Sequence, residues 1–217
     1  MNAPELQVTR IVSTPFEENA YVAHRKGSRQ CLVIDPGLEP ERIIAHLDAE
    51  GLEPAAILNT HGHSDHIGGN AALKARWPDC PLVIGRADAP KLTDATLNLA
   101  VMFGENLVSP PADVLVSEGD VYEAAGCALK VLAIPGHSVG HVVYVWNDEA
   151  KPLVFVGDVI FAGSIGRTDF PDGNFEQLSD GIRRKLFSLP DDTTLLPGHG
   201  PPTTVGKEKR TNPFVGL

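Results

Sequence analysis

Cysteine is scarce: the three present, Cys31, Cys80 and Cys127, are an odd number at wide spacing, with no CxxC pair. This argues against a disulfide framework and a zinc knuckle and fits a reducing compartment. Long apolar runs are missing too; the longest candidates, PLVFVG and HVVYVW, fall far short of a membrane span. The opening MNAPELQVTR carries an acid and no apolar stretch, unlike a signal peptide, so a cytoplasmic protein is expected. Positive charge is in deficit, with 18 Lys and Arg against 28 Asp and Glu and a formal charge of −10. Nucleic acid and anionic membranes both demand a cationic face, so neither is expected as a partner. The short basic runs RRK (183–185) and KEKR (207–210) read as solvated faces.

What is present is a soluble-domain composition over 217 residues, enough for one sizeable core, and a single domain spanning 1–217 is expected. Short β-rich runs open it: LQVTRIV, NAYVAHR and QCLVIDPG, bounded by turn residues. EPERIIAHLDAEG then takes helical spacing, with Ile43, Ile44 and Leu47 on one face and Gly51 as its cap. AAILNT reads as a buried strand, GGNAALKARW as a helix, PLVIGR as a strand and ADAPKLTD as a short helix or loop. Residues 95–111 are too apolar for a free loop and lack a period, which suggests a lid, a pocket wall or an interface. A second β-rich half starts near Asp113 with DVYEA, ALKVLAIPG, HVVYVW and PLVFVGDVIF. The helix NFEQLSDGIRRKLFSL follows, with Phe175, Leu178, Ile182, Leu186 and Leu189 on one face, and then TTLLPGHG. Two such halves predict an α+β fold, an αββα sandwich of two mixed sheets packed face to face with helices outside.

The strand AAILNT runs into HGHSDH, residues 61–66. His61 and His63 stand two apart on extended chain and point the same way. Asp65 and His66 follow where a helix begins, so the spacing favours two adjacent metal positions over one. Chance supplies such a cluster on the order of once in a thousand sequences of this composition, too rarely to explain it. Further ligands are expected at other strand ends, and three fit: His137 after KVLAI, Asp158 after PLVFV and His199 after TTLL, each preceded by glycine. Nitrogen and oxygen donors of this kind suit two divalent ions, zinc first, with iron or manganese compatible.

THGHSDHIGG, PGHSVGH, GDVIF and PGHG, in that order, resemble the signature of the metallo-β-lactamase fold superfamily. GDVIFAGSIGRTDFPDG with PGHGPPTTVGKEKRTNPF is similar, more narrowly, to the short single-domain glyoxalase II-like hydrolases, thioesterases related to hydroxyacylglutathione hydrolase. The resemblance implies that His61, His63 and His137 hold one metal, that Asp65, His66 and His199 hold the other, and that Asp158 bridges them. The full-length glyoxalase II pattern continues into a helical glutathione-binding domain, whereas this sequence stops eleven residues after Gly206.

The reaction so implied is metal-assisted hydrolysis of a small acyl thioester such as S-D-lactoylglutathione, with Asp65 orienting the water as well as binding metal. A thiolate leaves with little protonation, so a thioester suits the site better than an amide. Arg167 is a candidate to grip a substrate carboxylate, against a salt bridge to Asp169 or Asp172. His141 is expected to hydrogen-bond behind the ligands, His24 and His46 to lie at the surface, and Phe170 and Met102, candidates to line the pocket, to pack in the core instead. GRTDF also resembles the sulfur dioxygenases of this fold, which use a single iron on persulfides, and a lactonase or β-lactamase is a third reading.

Overall fold

The computed structural model describes residues 5–146 and 152–217, so the first four residues of the opening stretch read above lie outside it. The first half forms a six-stranded sheet in chain order: β1 (Leu6–Ser13), β2 (Glu18–Arg25), β3 (Gln30–Ile34), β4 (Glu53–Leu58), β5 (Leu82–Gly85) and β6 (Val114–Val116). β1 to β3 pair antiparallel and β3 to β6 parallel. Parallel neighbours need a crossover. Helix α1 (Pro40–Glu50) supplies one, and the short α2 (Ser64–Ile67) with α3 (Asn70–Arg76) supplies the next.

The second half is β7 (Val121–Ala124), β8 (Cys127–Ala133), β9 (Val142–Trp146), β10 (Leu153–Gly157), a small hairpin β11 (Ile160–Phe161) and β12 (Ser164–Ile165), helix α4 (Phe175–Gly181), β13 (Thr194–Pro197), β14 (Thr203–Thr204) and α5 (Val205–Thr211). Its main sheet runs β14-β13-β10-β9-β8-β7, with β10 and β13 parallel and the rest antiparallel. Both sheets are therefore mixed, as expected.

The two-residue period of the strands sorts the apolar side chains into layers. On β9, Val142, Tyr144 and Trp146 pack between the sheets with Tyr21, Leu58 and Phe155, while Val143 and Val145 face Leu178, Ile182 and Leu186 outside. On β4, Ala56 and Leu58 point inward, and Ile57 points out to Ile43, Leu47 and Leu73 of α1 and α3. Strands buried on both faces must be nearly all apolar, which is why these runs read as continuous hydrophobic text. The αββα sandwich is thus three apolar layers between four layers of backbone.

Three local readings change. β6 is a three-residue strand, too short for alternation to show. The helix expected at 174–189 is α-helical over Phe175–Gly181, with Asn174 capping Gln177 N at 3.0 Å, and then widens into a π turn over Ile182–Leu186. KEKR lies in α5, and Glu208 in it is fully buried, because its carboxylate accepts bonds from Thr203 Oγ1, Gly163 N and Asn212 Nδ2. Among the described residues no helix is long and apolar enough to cross a membrane.

Candidate metal centre

The ends of β4, β8, β10 and β13 bring His61, His63, His137, Asp158 and His199 to one edge of the sandwich, and α2 adds Asp65 and His66. Close approach dictates the glycine before two of these ends. Gly157 has a left-handed φ of 48° and touches Thr60; at Gly198 a methyl group would overlap Asp158 Oδ1 and His66.

Four of the five imidazoles are aimed by an outer nitrogen, and the fifth, His63, has its Nδ1 3.1 Å from His61 Nε2. Asp35, at the end of β3, accepts from Thr60 N (2.8 Å) and Thr60 Oγ1 (2.7 Å), and its Oδ2 lies 3.2 Å from His66 Nδ1. Thr60 Oγ1 in turn lies 3.1 Å from His61 Nδ1. His137 Nδ1 donates to the Arg167 carbonyl (2.9 Å) and His199 Nδ1 to the Phe16 carbonyl (3.0 Å). With Nδ1 occupied, Nε2 of His66, His137 and His199 faces the centre as a donor.

Three groups of ligand atoms result, each within 4.8 Å: His61, His63 and His137; His61, His66 and Asp158; Asp65, His66 and His199. Asp158 spans them, with Oδ1 3.4 Å from His66 Nε2 and Oδ2 3.6 Å from His137 Nε2 and 3.5 Å from His199 Nε2. Asp65 Oδ2 is 3.3 Å from His199 Nε2. Among the described residues, His63 Nε2, His66 Nε2, His137 Nε2 and Asp158 Oδ1 are buried with no hydrogen-bond partner. Unpartnered polar atoms cost several kcal/mol to bury, and converging N and O donors are what a divalent cation satisfies, so this donor set fits one.

The titration of the site follows from burial and charge. Burial, then the neighbouring imidazoles, push His61 well below the usual histidine range, and burial does the same to His63 and His141 and lowers His137, so these rings are neutral donors. Burial would also lower His66 and His199, but Asp158 first and then Asp65 outweigh it and raise both. Burial would raise Asp158, yet the His66 and His199 charges hold it far below the carboxylate range. A cation must therefore displace protons from His66 and His199. We expect zinc affinity to fall with acid between pH 7.5 and 5.5 by roughly tenfold per unit for each proton displaced, read by competition with a chromophoric chelator. A flat profile would contradict this charge balance.

A second network lies behind the first group. Asp88, wholly buried in the 3₁₀ segment Arg86–Thr93, accepts from Gly62 N (2.8 Å), Gly140 N (2.7 Å) and Ser138 Oγ. Lys91 Nζ adds bonds of 2.6 Å to Ser138 Oγ and to Asp172 Oδ2. The turn carrying His61 and His63 is so tied to the turn carrying His137. His141 stacks on His61 (centroids 4.6 Å apart) and its Nε2 accepts from Asp158 N at 3.1 Å, the supporting place expected of it.

The centre opens into a cavity of about 250 Å³ lined by Phe16, Leu99, Phe103, Phe161, Arg167 and Phe170 beside the ligands. Arg167 is at its edge, but its Nε and Nη2 bond Asp169 at 2.9 and 2.7 Å, while Asp172 pairs with Lys91. Phe170 and Met102 are not core residues: Phe170 packs its ring 5.4 Å from that of His63, and Met102 is 62% exposed. Residues 95–111 supply Asn98, Leu99 and Phe103 to the cavity wall. His24 and His46 are half-buried, away from the centre. Sequence reading did not single out Asp35, Asp88 or Lys91. Asp35 carried the signal used for the others, an acid ending an apolar strand, whereas nothing local marks Asp88.

The family model described as the metallo-beta-lactamase superfamily matches residues 13–199. The chain is 41% identical over 202 residues to the "Probable metallo-hydrolase YqgX" of Bacillus subtilis, covering 93% of each. It is 35% identical over 213 residues to the "Hydroxyacylglutathione hydrolase GloC" of Haemophilus influenzae, covering 97% of this chain and 98% of that one. Among solved structures, the BLEG-1 B3 metallo-beta-lactamase superposes with a TM-score of 0.91 at 36% identity, over 96% of this chain and 99% of that chain.

Proposed function

The chain belongs to the metallo-beta-lactamase superfamily, and we propose that within it this protein is a binuclear metal-dependent hydrolase of small acyl thioesters, glyoxalase II-like and cytoplasmic. One observation carries the reading: the His61–His63–His137 and Asp65–His66–His199 groups lie side by side, with the two oxygens of Asp158 turned toward both. The first group would hold one divalent ion and the second the other, with Asp158 shared between them; zinc is the first expectation, and iron or manganese suits the same donors. When bound, such ions supply an acidified water, its pKa brought from about 15.7 toward 7, and a polarised carbonyl. The residues do the rest. Asp65, set by His199, orients the attacking water across the centre. His141 holds the Asp158 backbone, and Asp35 keeps His66 and Thr60 in line. Arg167 stands at the edge of the cavity, where its solvent-screened pair with Asp169 would yield to a substrate carboxylate. The likeness to GloC supports the thioester reading. The likeness to the BLEG-1 lactamase supports lactam hydrolysis as the second.

The test is metal content together with turnover of S-D-lactoylglutathione, a lactone and a nitrocefin-type lactam. We expect two metal equivalents per chain and the thioester as the best substrate. A lactam hydrolysed faster than any thioester would replace the first reading with the second, and one iron with persulfide-dependent oxygen uptake would sink both.

A further inference from the structure

The cavity is small for a binding site, about 250 Å³ against the ~300–1,000 Å³ of pockets that enclose a drug-sized ligand, so it houses one part of a substrate. Its walls beyond the ligands are mostly aromatic and aliphatic, from Phe16, Leu99, Phe103, Phe161 and Phe170. Phe16 and Phe103 meet edge to face with centroids 5.1 Å apart, and Phe161 and Phe170 pack against His199 and His63. Besides the ligands the polar lining is Ser64, Asn98 and Arg167: Ser64 stands between His63 and Asp65 at the start of α2, and Asn98 is already engaged, its Nδ2 donating to the Lys91 and Leu107 carbonyls and its Oδ1 accepting from Ala100 N. The Arg167 fork is on Asp169, at the edge.

The element presenting Phe103 is built to expose it. The 3₁₀ turn Ala100–Phe103 is bracketed by left-handed residues, Leu99 at φ 69° and Gly104 at φ 80°, and a left-handed leucine is strained unless its surroundings impose it. Here Leu99 is buried and Asn98 pins the turn, yet Phe103 remains 53% exposed and Val101 52%. A fixed turn with an uncovered apolar face that borders the metal centre is a binding wall.

From this we infer that the group attached to the reacting carbonyl is apolar, an arylacetyl or medium-chain acyl group seated against Phe16, Phe103 and Phe170, rather than a hydroxylated acyl such as lactoyl. The thiol half is left to the mouth, where Arg167 stands. The inference rests on the thioesterase reading, and its test separates the two.

Glutathione and N-acetylcysteamine each carry acetyl, lactoyl, hexanoyl and phenylacetyl groups, so that only the acyl part varies within a series. A buried methylene is worth about fourfold in affinity. With the metal-loaded protein we expect kcat/KM for phenylacetyl to exceed that for lactoyl and acetyl by roughly tenfold or more. Phe103→Ala, an exposed position that leaves the melting temperature unchanged, should cut the phenylacetyl-to-acetyl ratio by about fivefold, and Phe103→Leu should restore part of it. A flat acyl series, or lactoyl ahead of phenylacetyl, overturns the inference while leaving the thioesterase standing. If no thioester in either series is hydrolysed, the thioesterase reading fails, and the free acids decide about the wall by calorimetry. Phenylacetate bound about tenfold tighter than acetate and lactate upholds it, and equal affinities overturn it.

Discussion

We expect Asp158→Asn to lower kcat/KM by about a thousandfold and to remove at least one of the two proposed metal equivalents. The carboxylate is buried among three imidazoles, its two oxygens within 3.4 to 3.6 Å of Nε2 on His66, His137 and His199. Asparagine keeps the shape but removes the charge and turns one oxygen into an N–H₂ group, a donor that cannot bind a cation. Both groups of histidines then lose the anion they share. A loss of about 4 kcal/mol in binding or transition-state stabilisation corresponds to the thousandfold. Steady-state kinetics on protein of measured metal content checks it, with the melting curve as the control for folding. A variant holding two equivalents and working within tenfold of the parent would refute the bridging role of Asp158.

Asp88→Ala removes no ligand, yet its effect is expected to be nearly as large. The side chain satisfies the backbone N–H groups of Gly62 and Gly140 and the hydroxyl of Ser138, all in the interior. Alanine strands both N–H groups and leaves the buried Lys91 with Asp172 as its remaining ion-pair partner. Removing one member of a buried charge pair costs about 3–5 kcal/mol. For a chain of this size that lowers the melting temperature by roughly 10 °C. The turn of His61 and His63 then drifts from the turn of His137, and the first group of ligands loosens. We expect the cobalt-substituted variant to change its ligand-field spectrum and bind at least tenfold more weakly, while Asp88→Asn, which retains one acceptor oxygen, falls between. An unaltered cobalt spectrum and melting temperature would refute this positioning role.

Much of the architecture was legible because strands buried on both faces leave a compulsory mark. PLVFVG and HVVYVW cannot be anything but apolar when two sheets and an outer helix press on them. The metal-binding candidates were legible for a related reason. Coordinating side chains follow strands at HGHSDH, GHS, GD and GHG, and a strand end is where the chain can leave the sheet and present them. β6 was lost to brevity. Phe170 was misplaced because an apolar residue at a cavity reads the same as one in a core, and Met102 because an apolar residue in a stretch without a period carries no mark of its exposure.

Local sequence therefore determined the αββα layering, the strand ends from which His61, His63, Asp65, His66, His137, Asp158 and His199 emerge, and the acidic balance. Only tertiary structure decided what stands around them. Asp88 reaches Gly62 across 26 positions and Gly140 across 52, and Phe103 meets Phe16 across the mouth of the cavity. Hydrogen bonds and ring contacts of this kind act over a few ångströms in space, and no short-range pattern along the chain encodes which distant residues will share them.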